Sequence, residues 1–192
     1  MGKDRLAAFS DGVIAIIITI MVLELKVPHG ASWASLAEVW PNFVSYVLSF
    51  IYLAIYWNNH HHLIHTVVRV DGLILWANAH LLFWLSLVPV STAWLGENFP
   101  ADAPTALYGV VLLMPAIAYL LLQKAIIHKQ GAHSLLAAAL GSDLKGKISA
   151  ALYVVAIGLA FVQPWLSVAI YVAVALIWLV PDRRIEKALR ES

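Results

Sequence analysis

Apolar residues dominate six stretches of this chain, and short polar segments separate the stretches. The apolar runs are continuous and do not alternate with a period of two, so they indicate helices and not strands. A helix of about 20 residues crosses a hydrocarbon core of roughly 30 Å, at about 1.5 Å per residue. The pattern therefore predicts six transmembrane helices, at about 6–25, 41–66, 73–95, 105–127, 148–162 and 164–180.

Positive charge falls on one side of this topology. Of the 12 lysines and arginines, all except Lys26 lie in the N-terminal segment, in the loops after the second and fourth spans, or in the C-terminal tail. Cytoplasmic segments of membrane proteins carry an excess of lysine and arginine. We therefore predict that both termini are cytoplasmic and that the protein is a multi-pass component of the cell membrane.

Composition strengthens the membrane assignment and narrows the function. Hydrophobic residues make up 62% of the chain and charged residues 12%, whereas soluble domains average about 45–50% and about 25%. The mean hydropathy is +0.83. The absence of cysteine excludes a disulfide framework and thiolate chemistry, and a net charge of +1 gives no reason to expect a nucleic-acid partner. We predict one all-α integral membrane domain, over residues 1–192, with the lipid bilayer as its surroundings.

An acidic residue interrupts the otherwise apolar first span. A charge inside a membrane helix costs roughly 2.5–3.5 kcal/mol, so Asp11 is either paired within the bundle or used. Counting the helical rise places polar residues of the second and third spans in the same layer, roughly 8–12 Å from the inner surface. We expect one network that either holds three helices together or handles protons or cations. Its expected members are Asp11, Asn58, Asn59, His60, His61, Asn78 and His80.

The histidines of the second span do not form a recognisable catalytic motif. His61 and His65 are spaced i, i+4 and could share a metal ion, but no Glu follows the first His as in a zincin motif. No serine stands in a nucleophile elbow. We therefore predict that the protein is not an enzyme and needs neither a catalytic metal nor another cofactor.

The first span can be divided into two faces by helical geometry, at about 100° per residue. Because the helix is apolar all round, this division alone does not choose a pore face. The first stripe holds Gly12, Ile16, Thr19, Ile20 and Leu23, and the opposite stripe holds Asp11, Ile14, Ile18, Val22 and Leu25. If the first stripe lined a pore, Asp11 would face the surrounding helices.

The start of the first span resembles a family signature. The motif R-x-x-x-F-S-D-G-V-I-A-I, beginning at Arg5, resembles that of the transmembrane protein 175 family of potassium channels. The Y-W-x-x-H-H stretch that begins at Tyr56 is also similar to that family. The resemblance covers the first two helices by motif and the whole chain by architecture. With a single six-helix unit, the chain is similar to the prokaryotic-type members.

The resemblance implies a homotetrameric, potassium-selective leak channel whose pore is lined by four first helices, with K⁺ and other monovalent cations as permeant species. It implies a hydrophobic constriction at Ile16 and further pore-facing layers at Thr19, Ile20 and Leu23. Arg5, Ser10 and Asp11 would lock the pore helix to the second and third spans. Neither the family nor this sequence has a P-loop selectivity filter of the T-V-G-Y-G type, so selectivity would come from rings of aliphatic side chains and hydroxyls.

One alternative stays open on the sequence. A proton-coupled or cation carrier would use Asp11 and the membrane histidines as a relay. Such carriers often show broken helices paired between two halves of the chain, and the sequence contains no duplicated half.

Overall fold

The computed structural model describes residues 2–131, 134–140 and 143–179, and all regular structure in this part of the chain is helical. The predicted end of the sixth span at residue 180 and the charged tail, 181–192, lie outside the described residues. The helices are α1 (Lys3–Leu23), α2 (Trp33–Glu38), α3 (Trp40–His65), α4 (Gly72–Leu85), α5 (Val88–Asn98), α6 (Asp102–Gln130), α7 (Leu135–Leu140), α8 (Leu144–Ala160) and α9 (Pro164–Leu179).

The third predicted span, at about 73–95, consists of two consecutive helices in the structure, which together form one apolar segment, Gly72–Asn98. Helix α4 ends at Leu85 and α5 begins at Val88, with Pro89 in its first turn. Proline has no backbone N–H to donate, and its ring crowds the carbonyl four residues earlier. The Ser86 hydroxyl donates to the Phe83 carbonyl at 2.7 Å, so one carbonyl beside the break is paired again. Pro115, by contrast, lies inside α6 without dividing it.

Three segments are long and apolar enough to cross a membrane, judged by length and composition within the described residues. They are Lys3–Leu23, Gly72–Asn98, which combines α4 and α5, and Asp102–Gln130. Helix α9 is apolar but shorter. Helix α3 has 26 residues, but its second half carries two asparagines and four histidines, and α8 has 17 residues.

Helix α6 is the centre of the bundle, and α1 lies at its edge. Helix α6 packs against α4 and α8, α3 packs against α5, and α1 rests on α3, α4 and α5. The buried share of the most apolar window is 50% for α6 and only 28% for α1. One apolar cluster joins α1 to α3, α4 and α6. A second cluster, rich in tyrosine, joins α3, α5 and α6 to α8 and α9.

A glycine brings α9 close to α6. A Cβ atom at Gly109 would meet the hydroxyl of Tyr171 and the side chain of Ile157. Because that space is free, the Tyr171 hydroxyl reaches the Thr105 carbonyl at 3.1 Å. The tyrosine cluster therefore holds α9 against α6, away from the edge where α1 lies.

Candidate ion-conduction site

One face of α1 is uncovered in the protomer. Ile16 is 61% exposed, Ile20 42% and Leu23 76%. Gly12 and Thr19 are exposed as well, so all five residues of the stripe defined from the sequence share the uncovered face. The side that packs into the bundle carries Leu6, Ser10, Ile14, Ile17 and Met21.

The buried side of α1 is rotated relative to the opposite stripe defined from the sequence. Ile14 is fully buried, but Val22 is 46% exposed. Asp11, Ile18 and Leu25 are only partly buried. Burial depends on where α3, α4 and α5 contact α1, and those contacts centre on the line through Ser10 and Ile17.

The uncovered face combines aliphatic side chains with one hydroxyl. The Thr19 hydroxyl donates its proton to the Ala15 carbonyl at 2.9 Å. A hydroxyl oxygen has two acceptor lone pairs in addition to its proton. Thr19 therefore keeps acceptor capacity at an exposed position, where an oxygen could replace part of a cation's hydration shell.

Behind this face, a chain of hydrogen bonds ties three helices together. Asn78 of α4 donates from Nδ2 to the Ser10 hydroxyl at 3.0 Å, and Ser10 donates to the Leu6 carbonyl at 2.9 Å. The Asn78 Oδ1 atom lies 2.7 Å from Nε2 of His60 on α3. Because this amide oxygen can only accept, the His60 Nε2 atom must carry a proton and donate. Ser10, His60 and Asn78 are 0%, 1% and 1% exposed, so the chain is sealed from solvent in the protomer.

The other members of the expected network make separate contacts. Asp11 accepts a hydrogen bond from the indole N–H of Trp57 at 3.0 Å. His80 accepts one from Trp84 at 2.8 Å. The His61 ring is exposed and lies against the Trp57 and His65 rings. Thus the single layer expected from the sequence is divided in the structure, with only Ser10, His60 and Asn78 in one chain of bonds.

Arg5, which was expected in the lock, and Asn59, which was expected in the network, make no hydrogen bond to the chain of Ser10, Asn78 and His60. Arg5 is exposed and makes no ion pair within residues 2–131, 134–140 and 143–179. Asn59 donates to the Ile55 carbonyl of its own helix at 2.8 Å. The sequence reasoning missed the two tryptophan partners. The i, i+4 spacing of His80 and Trp84 was a usable signal, whereas nothing along the chain connects Asp11 to Trp57.

Two ion pairs each connect the last turn of one helix to a residue just outside another helix, at the two ends of the bundle. At one end, Lys129 lies 2.8 Å from Asp71, and the Gln130 side chain accepts from the Val68 N–H at 3.0 Å. The hydrogen bond from Lys129, together with that from the Ile74 N–H, lowers the pKa of Asp71 below its usual value. At the other end, Lys26 lies 3.1 Å from Glu97. The part of the chain that the structure describes contains no group of three or more potential metal ligands.

These features define an all-helical membrane protein whose first helix is only partly covered by its own bundle. Residues 5–89 match the family model described as "Endosomal/lysosomal potassium channel TMEM175". A protein of Chryseobacterium sp. (strain P1-3) named as a potassium channel is 57% identical over 192 residues, which is the full length of both chains.

A solved structure has the same fold along nearly the whole chain. The crystal structure of a lysosomal potassium-selective channel TMEM175 homolog from Chamaesiphon minutus gives a TM-score of 0.82 at 31% identity, covering 94% of this chain and 97% of that one. A more distant relative, from Gallus gallus, is named an endosomal/lysosomal proton channel TMEM175. It is 31% identical over 103 residues, which are 47% of this chain and 21% of that protein.

The chain therefore belongs to the TMEM175 family. That family consists of ion channels and not of enzymes, and its members need no cofactor.

Proposed function

We propose that four copies of this chain form a potassium-selective leak channel in the cell membrane, with α1 lining the pore. The observation that carries the proposal is the uncovered face of α1. The most apolar 18-residue window of this helix has a mean hydropathy of 2.4, yet only 28% of that window is buried within the protomer. The choice of potassium as the permeant ion rests on the relatives of this chain that are named potassium channels.

The proposed topology has six spans, formed by α1, α3, α4 with α5, α6, α8 and α9, with both termini cytoplasmic. The ion pairs are consistent with it. Asp71 and Lys129 both belong to the predicted inner side, and they contact each other. Lys26 and Glu97 both belong to the predicted outer side, and they also contact each other. If α3 did not cross the membrane, Lys26 and Glu97 would lie on opposite sides, and if α4 with α5 did not cross, both pairs would be separated.

Fourfold symmetry would convert the uncovered face into a series of rings. Ile16 would supply four aliphatic side chains, which can close a pore by excluding water. Thr19 would supply four hydroxyl oxygens, and Ile20 and Leu23 would supply further rings toward the outer side. From Ile16 to Leu23 the pore would extend about 10 Å, at about 1.5 Å per residue.

The buried chain of Ser10, Asn78 and His60 would anchor the pore helix from behind. It connects α1 to α4 and α3 on the side opposite Ile16. The contact between Asp11 and Trp57 adds a second connection to α3. Arg5, which is exposed in the single chain, would join this anchor only if a neighbouring copy supplied its partner.

The pore assignment is tested by a pair of matched substitutions. The purified protein is reconstituted in planar bilayers under potassium, sodium and caesium gradients. We expect Ile16→Asn to raise the conductance because it hydrates the constriction. The control is Ile18→Asn, which makes the same chemical change at a half-buried position of the same helix. If Ile18→Asn raises the current and Ile16→Asn does not, α1 presents a different face to the pore.

Two further measurements test assembly and mechanism. Native mass spectrometry should find four copies, and a monomer that still conducts would contradict a pore of four first helices. The carrier alternative predicts saturable, pH-dependent flux without single-channel steps. The structure favours the channel, because no hydrogen bond within the described residues joins Asp11 to a histidine. The Trp57 indole beside Asp11 has no acceptor atom through which a proton could pass.

A further inference from the structure

We propose that His61 and His65 form a chelating site for a divalent transition metal ion such as Zn²⁺, Ni²⁺ or Cu²⁺. Both residues lie in the last turns of α3, and both are exposed. Their ring centroids are 4.4 Å apart. The assignment of this metal site to the cytoplasmic side rests on the proposed topology. The proposal that the two histidines bind a metal ion does not depend on that topology.

The separation of the rings suits a shared ion. With metal–nitrogen bonds of about 2.0–2.1 Å and tetrahedral geometry, two imidazoles on one zinc ion have ring centres roughly 5 Å apart. The rings of His61 and His65 are inclined by 63°. The terminal torsion of histidine is broad, so rotation of two exposed rings can direct one nitrogen of each toward the same point.

The other histidines of this helix are less suited to chelation. His60 is 1% exposed, and its Nε2 atom is bonded to Asn78. The His62 ring lies 5.5 Å from that of His61, but adjacent residues of a helix point in directions about 100° apart. His62 and His65, spaced i, i+3, are also neighbours on the helix surface, but the ring that lies 4.4 Å from that of His65 is His61.

The ligand set determines the kind of metal and the strength of binding. Neutral imidazole suits zinc, copper and nickel better than magnesium or calcium. No third His, Cys, Asp or Glu completes a group with this pair in the described part of the chain. Water would therefore fill the remaining positions. Such a site would respond to the concentration of free metal and would not hold a resident cofactor.

The site lies close to the contact between α3 and the proposed pore helix. The Trp57 ring, one turn before His61, is 6.5 Å from the His61 ring. The same indole donates to Asp11 of α1. A metal ion on His61 would thus lie next to the side chain that joins α3 to α1, and its binding should reduce the current.

Binding is measured first without reference to conduction. Tag-free, full-length protein in detergent is titrated with Ni²⁺ and with Cu²⁺ while tryptophan fluorescence is recorded. We expect saturable quenching, most of which is lost in Trp57→Phe. Because the second ligand binds intramolecularly, His61→Gln and His65→Gln should each weaken binding by at least about tenfold. The matched control, His128→Gln, removes another exposed histidine and should leave the affinity unchanged.

Two variants make the assignment specific. If His62→Gln weakens binding as much as His65→Gln does, the pair spaced i, i+4 is not the chelate, and the proposal fails. The chain has no cysteine, so the double variant His61→Cys/His65→Cys introduces the only thiols. It should bind again, with a preference for Cd²⁺, because thiolates select softer metals. Failure of the folded double variant to bind Cd²⁺ would contradict the geometry.

Conduction is tested separately in bilayers. Zn²⁺ added on the cytoplasmic side should reduce the parent current and should affect His65→Gln at concentrations at least about tenfold higher, as the loss of one ligand implies. If the protein passes no current at all, the proposed channel function fails, and the fluorescence titration still decides the metal site. If the titration shows no saturable quenching, the metal site fails, whatever the currents are.

Discussion

The substitution Asn78→Leu isolates the contribution of the buried hydrogen-bond chain that connects α1 to α4 and α3. Leucine is close to asparagine in size, so the change removes two hydrogen bonds without leaving a large cavity. The His60 Nε2–H loses its acceptor at 2.7 Å, and the Ser10 hydroxyl loses its donor at 3.0 Å. Ser10 still donates to the Leu6 carbonyl. The main cost is therefore an unpaired N–H on a histidine that is 1% exposed.

The size of the effect follows from these two losses. A buried donor without a partner costs about 1–3 kcal/mol. A hydrogen bond between membrane helices contributes about 0.6 kcal/mol on average in double-mutant cycles, which sets the loss at Ser10. Together we expect the free energy of unfolding to fall by about 1.6–3.6 kcal/mol. This corresponds to a rise of roughly 14- to 370-fold in the unfolded fraction.

The assay is reversible unfolding in mixed micelles with increasing SDS, followed by far-ultraviolet circular dichroism. Asn98→Leu is the matched control, because Asn98 is exposed and its side chain donates only to the Trp94 carbonyl of its own helix. We expect a change within about 0.5 kcal/mol for the control. A cycle with Ser10→Ala should show coupling between Ser10 and Asn78. Equal stability of Asn78→Leu and the parent, or no coupling in the cycle, would refute the claim that this hydrogen-bond chain holds α1 to α3 and α4.

Two other substitutions test the packing of the bundle and the ion pair between Asp71 and Lys129. Gly109→Ala should lower the unfolding free energy by about 2 kcal/mol, because crowding against Tyr171 costs about 3 kcal/mol and the gain in helix propensity is about 1 kcal/mol. The effect is measured by thermal unfolding. The control is Gly158→Ala, where an added Cβ atom meets no atom within 4 Å. The pKa of Asp71 is lower in the folded state than its ordinary value of 3.8, so its contribution to stability is present above that value and disappears as the pH falls through the folded pKa. Asp71→Asn should remove this acid-dependent part of the stability, measured as unfolding midpoints between pH 2 and 7, and an unchanged pH profile would show that the pair with Lys129 does not contribute.

The uncovered face of α1 illustrates how far helical periodicity reaches. The grouping of Ile16, Thr19, Ile20 and Leu23 follows from about 100° per residue, which every α-helix obeys. These four positions are all exposed in the structure, together with others that include Phe9, Ala15 and Val22. The rotation of the buried side could not be obtained in this way, because it depends on which neighbouring helices contact α1. That is why Val22, which periodicity places on the opposite stripe together with Asp11, is 46% exposed.

For the polar residues, tertiary packing decides more than helical periodicity does. Helical rise placed Asp11, His60 and Asn78 at a similar depth, but depth alone does not select partners. Whether Asp11 meets a histidine or the Trp57 indole depends on the rotation of α3 about its axis. That rotation is set by packing over its whole length. Spacing along one helix contains no information about the rotation of another.

The sequence by itself determined the all-helical membrane class, the division of the chain into apolar segments and the grouping of Ile16, Thr19, Ile20 and Leu23 on one face of α1. Each of these depends on local composition or on the period of a single helix. Only the tertiary structure decided that Ser10, Asn78 and His60 form one chain of hydrogen bonds while Asp11 pairs with Trp57. The physical reason is that a hydrogen bond requires heavy atoms to approach within about 3 Å. Contact at that distance between separate helices arises only when the entire bundle has packed.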